Sequence, residues 1–337
     1  MRFRNSTGGR ARHALLGVAA LAAALWSGWA PVQAQDKYPS KPVTVVVPYP
    51  PAGLADIVAR PLAGYLEREL KQPFVVLNKP GATGGIGAQY AANAAPDGYT
   101  VLVTLIGLST LPAVSAAQGK TPMYTRDQFE PIARLVSDPC VIFVQKSAPW
   151  NTFAELIADA KRRPDEIIYI STGPFGPTHL PMEMLMQATG TKFRHLPTTG
   201  GGPAVTMLLS GGGHIFFSIP ALGAQHVAAG TLKVLASASP NRVPEFPDAP
   251  TMKELGVEMD YSVWAGMFVP KGTPAEIKRT IGAVVTKAAK DADVKGNLAK
   301  SGVALAYQDA DEFRTWWDSD TKRLESIIKT IVKSEKK

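Results

Sequence analysis

Cysteine is nearly absent. Cys140 is the only one among 337 residues, so no disulfide can form within the chain. It stands in the apolar segment PCVIFV (139–144), a setting that suits a buried, inert thiol. Histidine is also scarce, and His195, His214 and His226 keep no metal-ligand spacing, so no metal or other cofactor is expected. Ser171 and Ser218 lack a Gly-x-Ser-x-Gly setting, and no other catalytic constellation is visible, which argues against an enzyme. The basic residues are scattered. The densest run, Lys333, Lys336 and Lys337, shares its tail with Glu335, so a nucleic-acid footprint is missing. There is no internal repeat and no low-complexity tract beyond the N-terminal region.

That N-terminal region has a distinct layout. Arg2, Arg4, Arg10 and Arg12 form a basic head without an acidic residue. The apolar run ALLGVAALAAALW (14–26) follows, shorter than the roughly 20 residues a spanning helix needs. Val32-Gln33-Ala34 then places small residues at −3 and −1 of a cut before Gln35. These three parts are those of a secretory signal peptide. No Arg-Arg pair marks the twin-arginine route, and no Cys after the cut offers a lipid anchor. Residues 1–34 are therefore expected to be cleaved on export to the periplasm by the Sec route, leaving a soluble chain. Losing four Arg lowers the net charge from +8 to +4. That is weakly suited to steering anions.

About 300 residues remain, enough for two domains of ordinary size. Short apolar runs alternate with amphipathic stretches. Strands are expected at 43–47, 74–77 and 100–104, with a helix over 53–71 on Ile57, Val58, Leu62, Tyr65, Leu66 and Leu70. Pro61 inside that helix should kink it, unless the helix starts later. A second cycle begins at Cys140, with strands at 141–144, 167–170, 215–217 and 232–236. Its helices are expected at 152–161, 178–189 and 203–209. One more strand, 261–269, leads into amphipathic helices over 274–291 and 311–332. This pattern predicts α/β domains with mainly parallel sheets. The late helices need a sheet to cover, so the first domain is expected to be discontinuous: 35–137 and 256–337, with 138–255 as the second domain. Trp316-Trp317 reads as helix packing. Trp264, on a crossing strand near the cleft, suits core packing as well.

Three loops at carboxyl ends of expected strands are rich in Gly, Pro and hydroxyls, and each leads into a helix: 48–56, 171–179 and 197–203. Helix N-termini offer unpaired N–H groups that suit a carboxylate. Open α/β sheets bind ligands at this edge.

The segments PYPPAGLADIVAR (48–60), NKPGATGGIGA (78–88), APDGYTVL (95–102), STGPFGPTHL (171–180), GGGPAVTMLLSGG (200–212), PDAPTMKELG (247–256) and WAGMFVPKGTP (264–274) follow one order. Together they resemble the Bug family, the substrate-binding proteins of tripartite tricarboxylate transporters, over essentially the whole exported chain. The resemblance implies a periplasmic-binding-protein type II-like fold, two α/β domains closing on a ligand like a Venus flytrap. It implies a small organic carboxylate or dicarboxylate as ligand, transporter membrane subunits as partners and a monomer. A ligand-loaded partner of a periplasmic signalling receptor is the alternative; a secreted hydrolase built on Ser171 and His179 lacks motif support. Carried over by residue, the site comprises Tyr49, Ala52, Gly53, Leu54 and Asp56 in the first loop, and Ser171, Thr172, Gly173, Phe175, Thr178 and His179 in the second. Thr198 and Ser218 complete it. Asp56 also suits a bond to its own backbone N–H groups, and His179 suits helix packing.

Departures from the family pattern bear on the ligand. Ala52-Gly53 stands where two glycines are usual, a small change unless the position needs positive φ. Pro174-Phe175-Gly176 replaces Asn-Gly-Thr, a stiff aromatic wall in place of polar contacts. Thr198-Thr199 stands for Tyr-Lys, and Ser218 for an Asp that would suit an amino group. These changes lean toward an aromatic or otherwise apolar acid.

Overall fold

Val43–Val47 (VTVVV) is β-branched at every position, a composition that packs on a pleated, buried surface, and it forms β1. A computed structural model describes Met1 and residues 38–335. The leader read at 1–34, Met1 aside, and its cleavage site lie outside the described residues. Residues 39–335 form one unit. After β1 come α1 (Leu54–Leu70), β2 (Phe74–Asn78), α2 (Gly85–Ala92), β3 (Thr100–Leu105), α3 (Gly107–Ala117) and β4 (Phe129–Pro139). Then follow β5 (Val141–Gln145), α4 (Phe153–Arg162), β6 (Ile168–Ser171), α5 (Leu180–Thr189) and β7 (Arg194–Pro197). Next are α6 (Gly201–Leu209), β8 (Ile215–Ser218), α7 (Ala224–Ala228) and β9 (Leu232–Ser237). The chain ends in β10 (Ser262–Pro270), α8 (Ala275–Ala288), α9 (Ala292–Lys300) and α10 (Ala310–Glu335). Helix α1 starts at Leu54 and runs through Pro61, which excludes the later start.

The strands form two five-stranded sheets, ordered β2-β1-β3-β10-β4 and β7-β6-β8-β5-β9. Both are mixed, a correction to the mainly parallel sheets expected. In the first, β1 runs parallel to β2 and β3, while β10 is antiparallel to β3 and β4. In the second, β6 runs parallel to β7 and β8, while β5 is antiparallel to β8 and β9. The reason is connectivity. β5 and β10 are the strands by which the chain arrives from the other sheet, so each runs against neighbours whose carboxyl ends point toward that junction.

The first sheet is sealed by α10. Trp264, Phe268, Phe313 and Trp317 are buried there, with Trp264 Nε1 donating to Asp320 Oδ2 (3.0 Å) and Trp317 Nε1 to Ser109 Oγ (2.7 Å). Trp264 is thus a core residue. The second sheet packs Phe143, Ile170 and Phe216 against Ala204, Val205 and Leu208 of α6.

Only Cys140 separates β4 from β5. Its N–H donates to Tyr261 O (3.1 Å), Tyr261 N–H to Ala238 O (3.0 Å), and Ala238 N–H to Cys140 O (2.8 Å). This ring of backbone bonds ties the two crossings side by side. Beside it, Asp138 is buried and its Oδ2 has no hydrogen-bond partner. Burial, helped by the Glu245 carboxylate, pushes its carboxyl from the ordinary 3.8 to about 7. In the unfolded chain this carboxyl ionises near its ordinary value, so the folded state loses stability as pH rises through 7. Asp138→Asn is expected to raise the melting temperature by several degrees at pH 8 and to leave it near wild type at pH 4. Scanning calorimetry at both values checks this; an equal effect at both would contradict a titrating carboxyl.

Candidate functional site

The turn after β1 is fixed from behind by its own helix. Asp56, buried in the first turn of α1, accepts from Ala52 N–H (2.9 Å), from Arg60 Nε (2.8 Å) and from Asn78 Nδ2 (2.9 Å). Asn78 also donates to Tyr49 O (3.1 Å). Burial alone would raise the Asp56 carboxyl, but the bonds from Arg60, Ala52 and Asn78 outweigh it and hold it below its ordinary value. With Asp56 occupied in this way, the amides left for an outside partner are those of Gly53, Leu54 and Ala55, at the start of a 17-residue helix. Tyr49 packs its hydroxyl where a Cβ at Gly84 or Gly107 would lie 2.9 or 2.8 Å away, so both positions require glycine. That hydroxyl lies near Thr104 and the Leu105 backbone, yet makes no hydrogen bond of ordinary geometry. Burial pushes it well above the usual phenol range.

The loop between β6 and α5 is held by side chains of its own half. Thr178 Oγ1 accepts from Thr172 N–H (2.7 Å) and pairs with Thr172 Oγ1 (3.0 Å). Ser171 Oγ accepts from Gly173 N–H (3.1 Å) and lies 2.6 Å from His195 Nε2. His179 Nδ1 accepts from Phe175 N–H (3.0 Å). The loop is then latched to the other half. Thr83 Oγ1 donates to Pro174 O (3.1 Å), and Thr110 Oγ1 donates to Phe175 O (2.9 Å).

Between the two loops lies a narrow cavity that leaves about 40 Å3 for the centre of a water-sized sphere. Tyr49, Pro50, Gly53, Leu54, Leu105 and Val263 line it from one half. Thr172, Pro177, Thr178, Gly200, Gly201, Ser218, Ile219 and Leu222 line it from the other. None of these is Asp, Glu, Lys, Arg or His. Ser218 Oγ is buried with no hydrogen-bond partner. Two helices of different halves, α1 and α6, begin at this cavity, through Gly53-Leu54 and Gly200-Gly201. An outer groove of about 490 Å3 adjoins it across Tyr49, Pro50 and Thr172, and includes Thr83, Gly173, Pro174, Thr198 and Thr199.

The family model of the tripartite tricarboxylate transporter family receptor, TctC, matches residues 58–332. The chain belongs to this receptor family. BugT of Bordetella pertussis (strain Tohama I) is 32% identical over 309 residues, 89% of this chain and 92% of BugT. The solved structure of R. palustris Rpa4515 with adipate has a TM-score of 0.81 at 27% identity, over 87% of this chain and 98% of that one. MatC (Rpa3494) from Rhodopseudomonas palustris, with bound malate, has a TM-score of 0.78 at 26% identity, over 88% and 100%. The fold is of the periplasmic-binding-protein type II-like class, and TctC receptors of this kind are periplasmic binding proteins, not enzymes.

Against this TctC architecture the residues singled out by sequence separate. Tyr49, Gly53, Leu54, Thr172, Thr178 and Ser218 line the cavity, and Gly173 and Thr198 line the outer groove. Asp56, Ser171 and His179 lie behind the loops and hold them. The aromatic wall expected of Phe175 is not formed. Its backbone adopts φ 54° and its ring meets His179 edge-on at 5.3 Å, away from the cavity lining. Sequence reasoning missed Leu105, Ile219, Leu222 and Val263, whose aliphatic side chains carry no mark of a site. It also missed Gly200-Gly201, although the loop holding them was singled out.

Ala52 is exposed, lies outside the cavity, and adopts φ 63°, so the position does favour the glycine it lacks. Gly53 has an ordinary φ of −82°, and a Cβ there would rest 3.5 Å from Pro50 O, so backbone strain does not require glycine at this position. Ala52→Gly is expected to stabilise the protein by about 0.5–1 kcal/mol, the relief of left-handed strain less the entropy of a freer unfolded chain. Urea unfolding measures this, and a loss of stability would contradict a strained Ala52.

Proposed function

We propose that this TctC receptor captures a small organic carboxylate in the periplasm and presents it to the membrane subunits of a tripartite tricarboxylate transporter. The observation that carries the reading is the cavity itself. It joins the first amides of two helices and the hydroxyls of Thr172, Thr178 and Ser218, the last of them unpartnered, in a lining with no charged side chain. A carboxylate there would exchange its water for N–H and O–H donors at the positive ends of two helix dipoles. The malate and adipate in the solved relatives support this class of ligand. The secretory layout of residues 1–34 supports export by the Sec route, and the protein would act as a monomer closing about the Cys140–Ala238–Tyr261 crossings, between halves 35–137 with 256–337 and 138–255.

An aromatic acid loses its argument once Phe175 faces His179. A cavity of about 40 Å3 holds a carboxylate head or a few waters, so the rest of the ligand would lie in the adjoining groove. The head would sit among Gly53, Leu54, Thr178 and Ser218, and an aliphatic remainder would run outward past Tyr49 and Thr172 into the groove. A thermal-shift series with malate, adipate and benzoate tests the class. At 100 times its dissociation constant a ligand adds about 2.7 kcal/mol, a rise of roughly 4 °C. The rise is expected with an aliphatic acid and not with benzoate; a response to benzoate alone would overturn the reading. Ser218→Ala should leave the unliganded protein at least as stable, because it removes an unsatisfied buried hydroxyl. It should weaken the bound acid by about tenfold or more. Calorimetry on Ser218→Ala reads both, and unchanged affinity would remove Ser218 from the site.

A further inference from the structure

Behind the β6–α5 loop lies a group of buried and half-buried titratable side chains with no part in lining the cavity. The rings of His179 and His195 stack at 4.3 Å and 29°. Both also stack on Tyr169, at 6.0 Å and 4.8 Å. Tyr169 Oη donates to Glu183 Oε1 (2.9 Å), and His179 Nε2 lies 3.4 Å from the same oxygen. Because His179 Nδ1 accepts from Phe175 N–H, the ring proton of the neutral form belongs on Nε2, toward Glu183. His195 Nε2 meets Ser171 Oγ, which in turn accepts from Gly173 N–H. Each imidazole therefore holds one turn of the loop, His195 at Gly173 through Ser171 and His179 directly at Phe175. These are the loop's two left-handed residues, φ 132° and 54°. Phe175 is there at a cost, since a bulky residue disfavours that region, and its carbonyl takes the latch from Thr110.

We propose that His179 and His195 are positioning residues that hold the 172–178 loop in its latched shape, so that cleft affinity depends on both rings being neutral. The effect on affinity rests on the carboxylate reading above; the hold on the loop does not. Protonating Nδ1 of His179 would turn the acceptor for Phe175 N–H into a donor facing it. Two charged rings at 4.3 Å would also repel. Among the described residues, the titratable groups facing the pair are Tyr169 of β6 and Glu183 of α5. Burial first, then the neighbouring His179, depress His195 to about 4, against the pull of Glu183. Depression of a histidine means that the unfolded chain takes up the proton first, so the hold is complete near neutral pH and is lost as pH falls toward 4.

The test follows amide hydrogen exchange at Phe175, corrected for intrinsic rate, beside calorimetry with adipate and malate as probes. His179→Leu should lower Phe175 protection, and affinity for the acid that binds, by at least roughly tenfold. His179→Asn returns an acceptor near the Nδ1 position and should restore both. His179→Gln places its acceptor near Nε2 and should not. In wild type, protection at Gly173, which His195 holds through Ser171, should fall as the pH approaches 4. Full protection in His179→Leu, or equal rescue by Asn and Gln, overturns the proposal. If His179→Leu does not fold, the contrast of Asn with Gln decides. If neither acid binds wild type, the carboxylate reading falls and exchange at Phe175 still judges the two histidines.

Discussion

Two hydrogen bonds govern the shape of the cleft, those from the Thr83 and Thr110 hydroxyls to the successive carbonyls of Pro174 and Phe175. They are among the places where a side chain of one half grips the backbone of the other beside the cavity. A carbonyl can serve as such an anchor only if the chain behind it is rigid. That explains why the loop carries so many bonds of its own, Thr178 to Thr172, Ser171 to Gly173 and His179 to Phe175. It also explains the close approaches. A Cβ at Gly173 or Gly176 would come within 2.7 Å of Thr83, so the latch forms only with glycine at both.

The opposite wall uses a different device for the same end. Asp56, Arg60 and Asn78 lock the 49–56 turn from the solvent side, and the ion pair of Asp56 with Arg60 leaves no charge in the cavity. A neutral lining would be costly for an anion without donors aimed at it. The first amides of α1 and α6 and the hydroxyls of Thr172, Thr178 and Ser218 provide such donors. In the proposed reading, recognition by amides and hydroxyls would set geometry closely while leaving the aliphatic walls Leu54, Leu105, Ile219, Leu222 and Val263 to select shape.

Much of this was legible in the amino-acid sequence because the relevant signals are local. The β-branched run at 43–47, the Gly- and Pro-rich loops at the ends of β1 and β6, and the amphipathic period of α8 and α10 depend on neighbours in the chain. What was not legible depends on distant partners. Strand β4 escaped notice because Glu130, Pro131 and Arg134 break its apolar pattern, and it is a strand through its pairing with β10. Helices α2 and α3, rich in Gly and Ala, show weak periodicity; α2 is set by packing against the first sheet and α3 mainly by packing against α10. Phe175 was misread for a similar reason. Its side chain direction follows from a left-handed φ, announced only by the glycine that the family pattern has at that position. Asp56 and His179 were legible as loop residues, while their role in holding the loops needed the partners Asn78, Tyr169 and Glu183 from elsewhere in the chain.

The most direct measurement is a crystal structure of the protein grown with adipate or malate. The account predicts one carboxylate within hydrogen-bond distance of the amides at 53–55 and of the Ser218 or Thr178 hydroxyl, with Thr83 and Thr110 still bonded to Pro174 and Phe175. A ligand seated elsewhere, such as the charged groove of Glu130, Lys278 and Arg314, or a carboxylate paired with an Arg or Lys side chain, would contradict it.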